Sequence, residues 1–198
     1  GGSMPNKVLA GLFPERNVSN LVHRDERHVF FSLLSELAEP HHTVVDFGAG
    51  RGLLLERGGR HLRTVSNLKG RCRRLIGVDV AAEVMRNPAL DEAMVVEPGG
   101  AIPLPDNSAD IVYSYAVFEH VADPEPVASE LQRILKPGGW LCAWTPNKWG
   151  YVGIGARLIP NRHHARVLDI VSPQGRGEQD VFPVAYRMNT RHALRRLF

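Results

Sequence analysis

The sequence predicts a doubly wound α/β fold, a mostly parallel sheet with helices on both faces. Short apolar or β-branched runs alternate with helix-length segments, and glycine- or proline-rich turns punctuate the alternation. The 198 residues are 43% hydrophobic and 23% charged, the composition of one domain with its own core. A net charge of +3 is a mild basic bias that does not argue for nucleic acid. Two cysteines, Cys72 and Cys142, lie in unlike settings and form neither a disulfide framework nor a zinc pattern. A reducing cytoplasmic setting is therefore expected, with no signal peptide before Met4 and no membrane-spanning run. Gly1, Gly2 and Ser3 read as the remnant of an expression tag.

In chain order, Phe30, Leu33, Leu34 and Leu37 recur at helical spacing between Asn20 and Glu39, and Pro40 ends that segment. Residues 4–42 are thus an N-terminal helical segment ahead of a core at 43–147. Thr43 to Phe47 has the pattern of a buried strand, Gly48 to Gly52 is a glycine turn, and Leu53 to Arg57 begins a helix. The arginine-rich stretch from Gly58 to Arg74 is expected to hold a helix end and a long loop. Leu75 to Val80 is the second strand, Ala81 to Arg86 a short helix, and Ala93 to Glu97 the third strand. Ala109 to Tyr115 is the fourth. Val127, Leu131 and Ile134 mark an amphipathic helix from Asp123 to Leu135, which Lys136-Pro137-Gly138-Gly139 stops. Trp140 to Trp144 is the fifth strand, with both tryptophans expected in the core. Residues 148–198 are an acceptor-side segment in which Tyr151 to Ile159 is ambiguous and Asn189 to Phe198 is a helix.

VVDFGAGRG combines a buried strand, an acid at its end (Asp46) and a turn with Gly48, Gly50 and Gly52. Glycine lets the backbone approach a ligand, and in open α/β sheets ligands lie beyond the carboxyl ends of the strands. Leu53 stands where a dinucleotide fingerprint needs its third glycine, which counts against a nicotinamide cofactor. Asp46 suits a cationic group rather than a phosphate. Asp79 ends LIGVDV, where a carboxylate accepts hydrogen bonds from two ribose hydroxyls; the plainer alternative is a cap for the turn from Ala81.

VVDFGAGRG, IGVDV, IPLPDNSADIVYSYAVFEHV and LQRILKPGGWLCAWTPN follow in the order and approximate spacing of class I S-adenosylmethionine-dependent methyltransferases. The chain resembles that family from about Thr43 to Asn147. It is most similar to the small-molecule branch related to ubiquinone and menaquinone biosynthesis enzymes. The resemblance implies a Rossmann-like core binding S-adenosyl-L-methionine, with S-adenosyl-L-homocysteine as product. Asp46, Gly48, Ala49 and Gly50 would lie against the methionine part, Asp79 would hold the ribose, and Val80 would pack on the adenine. The family's usual acid after the third strand is replaced by Pro98, so Glu97, Pro98 and Gly99 would meet the adenine edge. Tyr115 and Ala116 would lie beside the donor methyl.

An activated sulfonium needs mainly alignment and exclusion of water for in-line displacement, with a base when the acceptor is a hydroxyl. His120 is the candidate base; the alternative is that Glu119 and His120 merely orient the turn after the fourth strand. A related metal-binding pattern, E-x-x-E-H, has Ala116 in its first position here, so no metal is expected. His163 and His164 read as solvated, and Trp149 and Tyr151 as the wall of an acceptor pocket. Basic runs at Lys69, Arg71, Arg73 and Arg74, and at Arg191, Arg195 and Arg196, read as solvated faces. The expected activity is methyl transfer to a small-molecule acceptor, at oxygen. The alternatives are a nucleic-acid methyltransferase or a non-catalytic cofactor-binding or scaffolding domain. The family's final two strands are missing up to LRRLF, so a five-stranded core is expected. Its bare fifth strand would be covered by the segment from Tyr151 to Tyr186, by a partner chain or by a second copy.

Overall fold

Val44 and Val45 are both fully buried, on opposite faces of β1 (Thr43–Phe47), because this strand lies in the middle of a sheet covered on both sides. The computed structural model describes residues 26–146, 185 and 187–198. Among these residues β1 is joined by β2 (Arg74–Asp79), β3 (Glu92–Val95), β4 (Ala109–Tyr115) and β5 (Leu135–Trp144). The strand order is β3-β2-β1-β4-β5, and every neighbouring pair is parallel. This is the expected α/β Rossmann-like sheet, and among the described residues it has the five expected strands.

One face carries α4 (Pro124–Ile134) and α5 (Arg191–Leu197). Val127, Leu131 and Ile134 of α4 meet Val45, Val112 and the fully buried Met188, and α5 adds Leu194 and Leu197. The other face carries α1 (Glu26–Leu37) and α3 (Arg60–Ser66), whose Phe31, Leu34 and Leu62 pack on Val44, Ile111 and Tyr113. The five-residue α2 (Leu53–Arg57) leads from the glycine turn towards α3. No helix among the described residues is long and apolar enough to cross a membrane.

Several expectations are corrected. The arginine-rich stretch holds the expected loop, from Asn67 to Arg73, but its helical part is a separate helix, α3 at Arg60–Ser66, hidden because Leu62 is its one buried residue. Lys136 to Gly139 does not precede the fifth strand but is a bulge inside it. Leu135 already pairs with Ala109, and the register shifts before Trp140 meets Ile111. Trp140 is not in the core; it is 57% exposed. Leu33 points away from the apolar face of α1, leaving Phe31 and Leu34 as the buried pair. The turn after β2 is a 3₁₀ helix, Ala82–Arg86. The expectations for Trp149, Tyr151 to Ile159, His163 and His164 lie outside the described residues.

The chain leaves β1 towards β2 and β3, then crosses back to lay β4 on the other edge of β1. The reversal parts the connecting segments above the carboxyl ends of β1 and β4, where open α/β sheets bind ligands.

Candidate cofactor site

The glycine turn is held from below and open above. Gly48 has φ +82°, and its N–H donates to the Val78 carbonyl at 2.7 Å. A Cβ added to Gly48 would stand 2.2 Å from Val117 Cγ2, so the turn after β1 packs on the Val117 side chain after β4 only because position 48 has no side chain of its own. Gly50, at φ +51°, faces open space, with nothing within 4 Å of where its Cβ would be. Asn87 ties the turn to the β2–β3 connection, donating to the carbonyls of Ala49 and Gly50 at 3.1 Å each.

Asp79 is the pivot between this turn and the next. Its Oδ2 accepts from the Gly50 N–H at 2.7 Å and its Oδ1 from the Ala81 N–H at 2.9 Å. The local turn bond of the plainer alternative is therefore present, and the same carboxylate also fastens the glycine turn. Each oxygen keeps a lone pair for a further donor.

Asp46, at the end of β1, is half-buried and accepts from the Tyr113 hydroxyl at 2.8 Å. Burial raises its carboxyl from an ordinary 3.8 to about 7; the Tyr113 hydrogen bond opposes the rise and the charge of Asp79 adds to it. Burial, with the adjacent Asp46 charge, pushes the Tyr113 hydroxyl well above its ordinary value, so it stays a donor.

Beyond the strand ends a cleft of about 430 Å³, counted to its open mouth, is lined by Gly48, Asp79, Val80, Glu97 and Gly99, among others. Val80 is 47% exposed, an apolar platform with no protein over it among the described residues. The 97–100 turn is closed by the Gly100 N–H bonding to the Glu97 carbonyl at 2.9 Å, with Gly99 at φ +70°. Gly100, Ile102, Val117 and Glu130 also line this cleft and were not picked from the sequence. Glu130 stands on the helix marked by Val127, Leu131 and Ile134, one residue before LQRILKPGG, the only sequence signal near it.

At the end of β4 the chain turns sharply. Ala116 takes φ +58°, a conformation costly for a side-chain-bearing residue, and its N–H bonds to the Trp144 carbonyl at 2.8 Å. The Tyr115 ring stacks on Trp144, centroids 4.8 Å apart, and meets Phe30 and Phe31 on α1. The 3₁₀ turn Phe118–His120 follows. Glu119 is 6% exposed and accepts from the Thr145 hydroxyl at 3.0 Å. That hydroxyl in turn accepts from the Asn189 side-chain amide, which also donates to the Pro146 carbonyl at 3.0 Å. The Ala185 N–H bonds to the Glu119 carbonyl at 2.7 Å. His120 is half-buried on the last residue of this turn.

Of the residues expected to bind cofactor, Gly48, Asp79, Val80, Glu97 and Gly99 line one cleft. Gly50 is bonded to Asp79, and Asp46 lies near enough for its titration to feel the Asp79 charge. Ala49, Pro98, Tyr115, Ala116 and His120 are not in the lining. A further cluster lies just before β1. Glu39, His41 and His42 offer potential ligand atoms within 4.8 Å of one another, and His42 Nδ1 already accepts from the Glu39 N–H at 3.2 Å.

The donor set suits a zwitterionic nucleoside: a half-buried acid at Asp46, a carboxylate with spare lone pairs at Asp79, and the apolar platform of Val80. A family model for a methyltransferase domain matches residues 45–143, half of the chain. A probable S-adenosylmethionine-dependent methyltransferase of Mycolicibacterium smegmatis is 39% identical over 83 residues, 38% of this chain and 31% of that protein. The mitochondrial ubiquinone biosynthesis O-methyltransferase of Candida albicans is 29% identical over 137 residues, 65% of this chain and 39% of that protein. The chain thus spans between 31% and 39% of the length of these two relatives. In fold it is similar to an S-adenosylmethionine-dependent methyltransferase of Thermotoga maritima, described as a possible histamine N-methyltransferase. That likeness has a TM-score of 0.54 at 16% identity, over 86% of this chain and 67% of the other.

Proposed function

The chain belongs to the methyltransferase-domain family, with the class I S-adenosylmethionine-dependent fold, and from that membership we propose that it methylates a small-molecule acceptor at oxygen. The observation that carries the reading is Asp79, whose two oxygens are aimed by the Gly50 and Ala81 amides at the mouth of a cleft walled by Val80 and Glu97. When bound, S-adenosylmethionine supplies an activated sulfonium methyl, so the protein's work is alignment for in-line displacement and exclusion of water. Asp79 accepts from the ribose hydroxyls, Val80 lies under the adenine, and Glu97, Pro98 and Gly99 border its edge. Asp46 meets the ammonium group, with Gly48, Ala49 and Gly50 along the methionine chain. Tyr115 and Ala116 frame the donor end, and His120 takes the acceptor's proton when that acceptor is a hydroxyl.

The finer affiliation we favour is the branch related to quinone biosynthesis, in keeping with the similarity to the Candida albicans O-methyltransferase. The proposed setting is the cytoplasm, in keeping with two free thiols, Cys72 and Cys142. Among the described residues β5 pairs on one side only, so a partner chain or a second copy is proposed to cover its outer edge and Trp140.

One observation favours a nucleic-acid acceptor instead: Arg60, Arg63, Lys69 and Arg71 line a surface cleft and have no carboxylate partner among the described residues. Lys69 and Arg71, however, lie in the loop that leads to the amino end of β2, whereas the cofactor cleft lies beyond the carboxyl ends of the strands. Steeply salt-sensitive RNA binding would support that second reading.

Calorimetric titration with S-adenosylhomocysteine tests the proposal. The parent protein is expected to bind, and Asp79→Ala to lose about 100-fold or more in affinity, two charge-assisted bonds being removed. A parent that does not bind removes the cofactor reading, while an Asp79→Ala variant with parental affinity removes the ribose assignment alone.

A further inference from the structure

Arg133 occupies the last turn of α4, outside the cleft, and every N–H of its guanidinium is used. Nε donates to Glu130 Oε1 at 3.0 Å, and Nη2 to Glu130 Oε2 and to the Ile102 carbonyl, each at 2.8 Å. Nη1 donates to the Leu104 carbonyl at 2.8 Å and to Asp106 Oδ1 at 2.7 Å. Glu130 completes the lattice by accepting the Ile102 N–H at 2.8 Å. One side chain thereby bolts α4 to the long connection between β3 and β4, a segment that has no strand or helix of its own to hold it. A planar five-donor fork can serve two carbonyls and two carboxylates at once, which a lysine ammonium cannot.

The bolted segment is the one that walls the cleft: Glu97, Gly99, Gly100 and Ile102 line it, and so does Glu130 itself. The pair is only partly exposed, 29% for the Arg133 side chain and 19% for Glu130, so solvent screens it less than a surface pair. The hydrogen bond from Arg133 is the main cause that holds the Glu130 carboxyl below its ordinary value, with burial opposing.

We infer that Arg133 is a positioning residue for the adenosine half of the cofactor, acting through Glu130 and the 97–104 segment. The inference rests on the cofactor reading above and adds the device that keeps the adenine wall in place. A backbone wall must be held at a fixed width to select a purine, because it cannot adjust by rotamer as a side chain can.

The test compares two ligands in three variants by calorimetry: S-adenosylhomocysteine, and 5′-methylthioadenosine, which has the adenosine half without the amino acid. Arg133→Met and Glu130→Gln are each expected to weaken both ligands by about tenfold, and by the same factor, with Arg133→Lys recovering part of the loss. Glu130→Gln keeps shape and one acceptor for the Ile102 N–H, so a folded variant is available if the Arg133 changes unfold the chain. Affinities within twofold of the parent for both ligands in folded variants would overturn the inference. So would a loss for S-adenosylhomocysteine that 5′-methylthioadenosine does not share, since that places the effect at the methionine end. A parent that binds neither ligand overturns the cofactor reading, and this inference with it.

Discussion

The two ends of the cleft are built by opposite means. At the β1–β2 end the polar contacts are short-range in space and made largely by backbone: Gly50 and Ala81 amides on Asp79, and Asn87 on the carbonyls of the glycine turn. At the β4 end the turn carrying Glu119 and His120 leans on Thr145 and Asn189 and on the Ala185 amide, residues that arrive much later in the chain. The first end needs only strands, tight turns and one carboxylate, so any cofactor-binding member of the fold can share it. The second depends on how the chain returns after β5, which is where a binding surface for a particular acceptor can vary.

Damage to the first end should be the most severe. Gly48→Ala puts a methyl 2.2 Å from Val117 Cγ2 in a backbone conformation unfavourable for alanine. About 3 kcal/mol of stability should be lost, read from denaturant midpoints, together with at least about 100-fold in S-adenosylhomocysteine affinity. A variant as stable as the parent would mean that the Val117 side chain yields freely and does not fix the glycine turn.

Damage to the second end should spare binding and reach turnover. His120→Ala is expected to lower kcat by about 100-fold at neutral pH with cofactor affinity unchanged, measured with any hydroxyl acceptor that the protein methylates. Equal turnover by parent and variant from pH 6 to 8 would leave His120 with no role in proton transfer.

The smallest effect is a pH slope at Asp46. Its folded-state carboxyl sits at about 7, above the unfolded value, so the protonated form is the one folding favours. The associated stability is complete below pH 4 and is lost as pH rises through 7. An ammonium ligand needs the opposite form. S-adenosylhomocysteine affinity should therefore rise about tenfold per pH unit below 7 and level off above it, and Asp46→Asn should flatten the slope. A parent affinity that is constant between pH 5.5 and 8 would separate Asp46 from the ammonium group.

Legibility in the sequence follows the same divide. β4 is legible to its terminal residues because ADIVYSY is a mostly buried, β-prone run that follows the polar Asp106-Asn107-Ser108, and the acids Asp46 and Asp79 are visible as charges ending apolar strands. The helix α3 was missed because a seven-residue helix with one buried leucine has no apolar period to detect. Trp140 was assigned to the core by residue type, yet an edge strand leaves half its surroundings to whatever lies outside the sheet. Arg133 and Glu130 lie off the apolar positions Val127, Leu131 and Ile134 of their helix, so its period gives them no role. Only the path of the 97–108 connection, which no local pattern encodes, turns them inward, Arg133 onto the Ile102 and Leu104 carbonyls and Glu130 onto the Ile102 N–H. The links among Glu119, Thr145 and Asn189 were unreadable for the same reason, being contacts between segments 26 and 44 residues apart.

The strand order also sets a timetable for synthesis. β1 is central, but its second neighbour, β4, begins only at Ala109, and β5 ends at Trp144. While the nascent chain is being extended at about 5–20 residues per second, β1 has one naked edge for several seconds. The glycine turn and Asp79 can already have met by then, since both lie before β3, but the 97–104 wall cannot be fastened until Glu130 and Arg133 of α4 have been made. The ribose carboxylate is thus aimed early and the wall arrives late, so a ligand can stabilise the chain only once four of the five strands have been made.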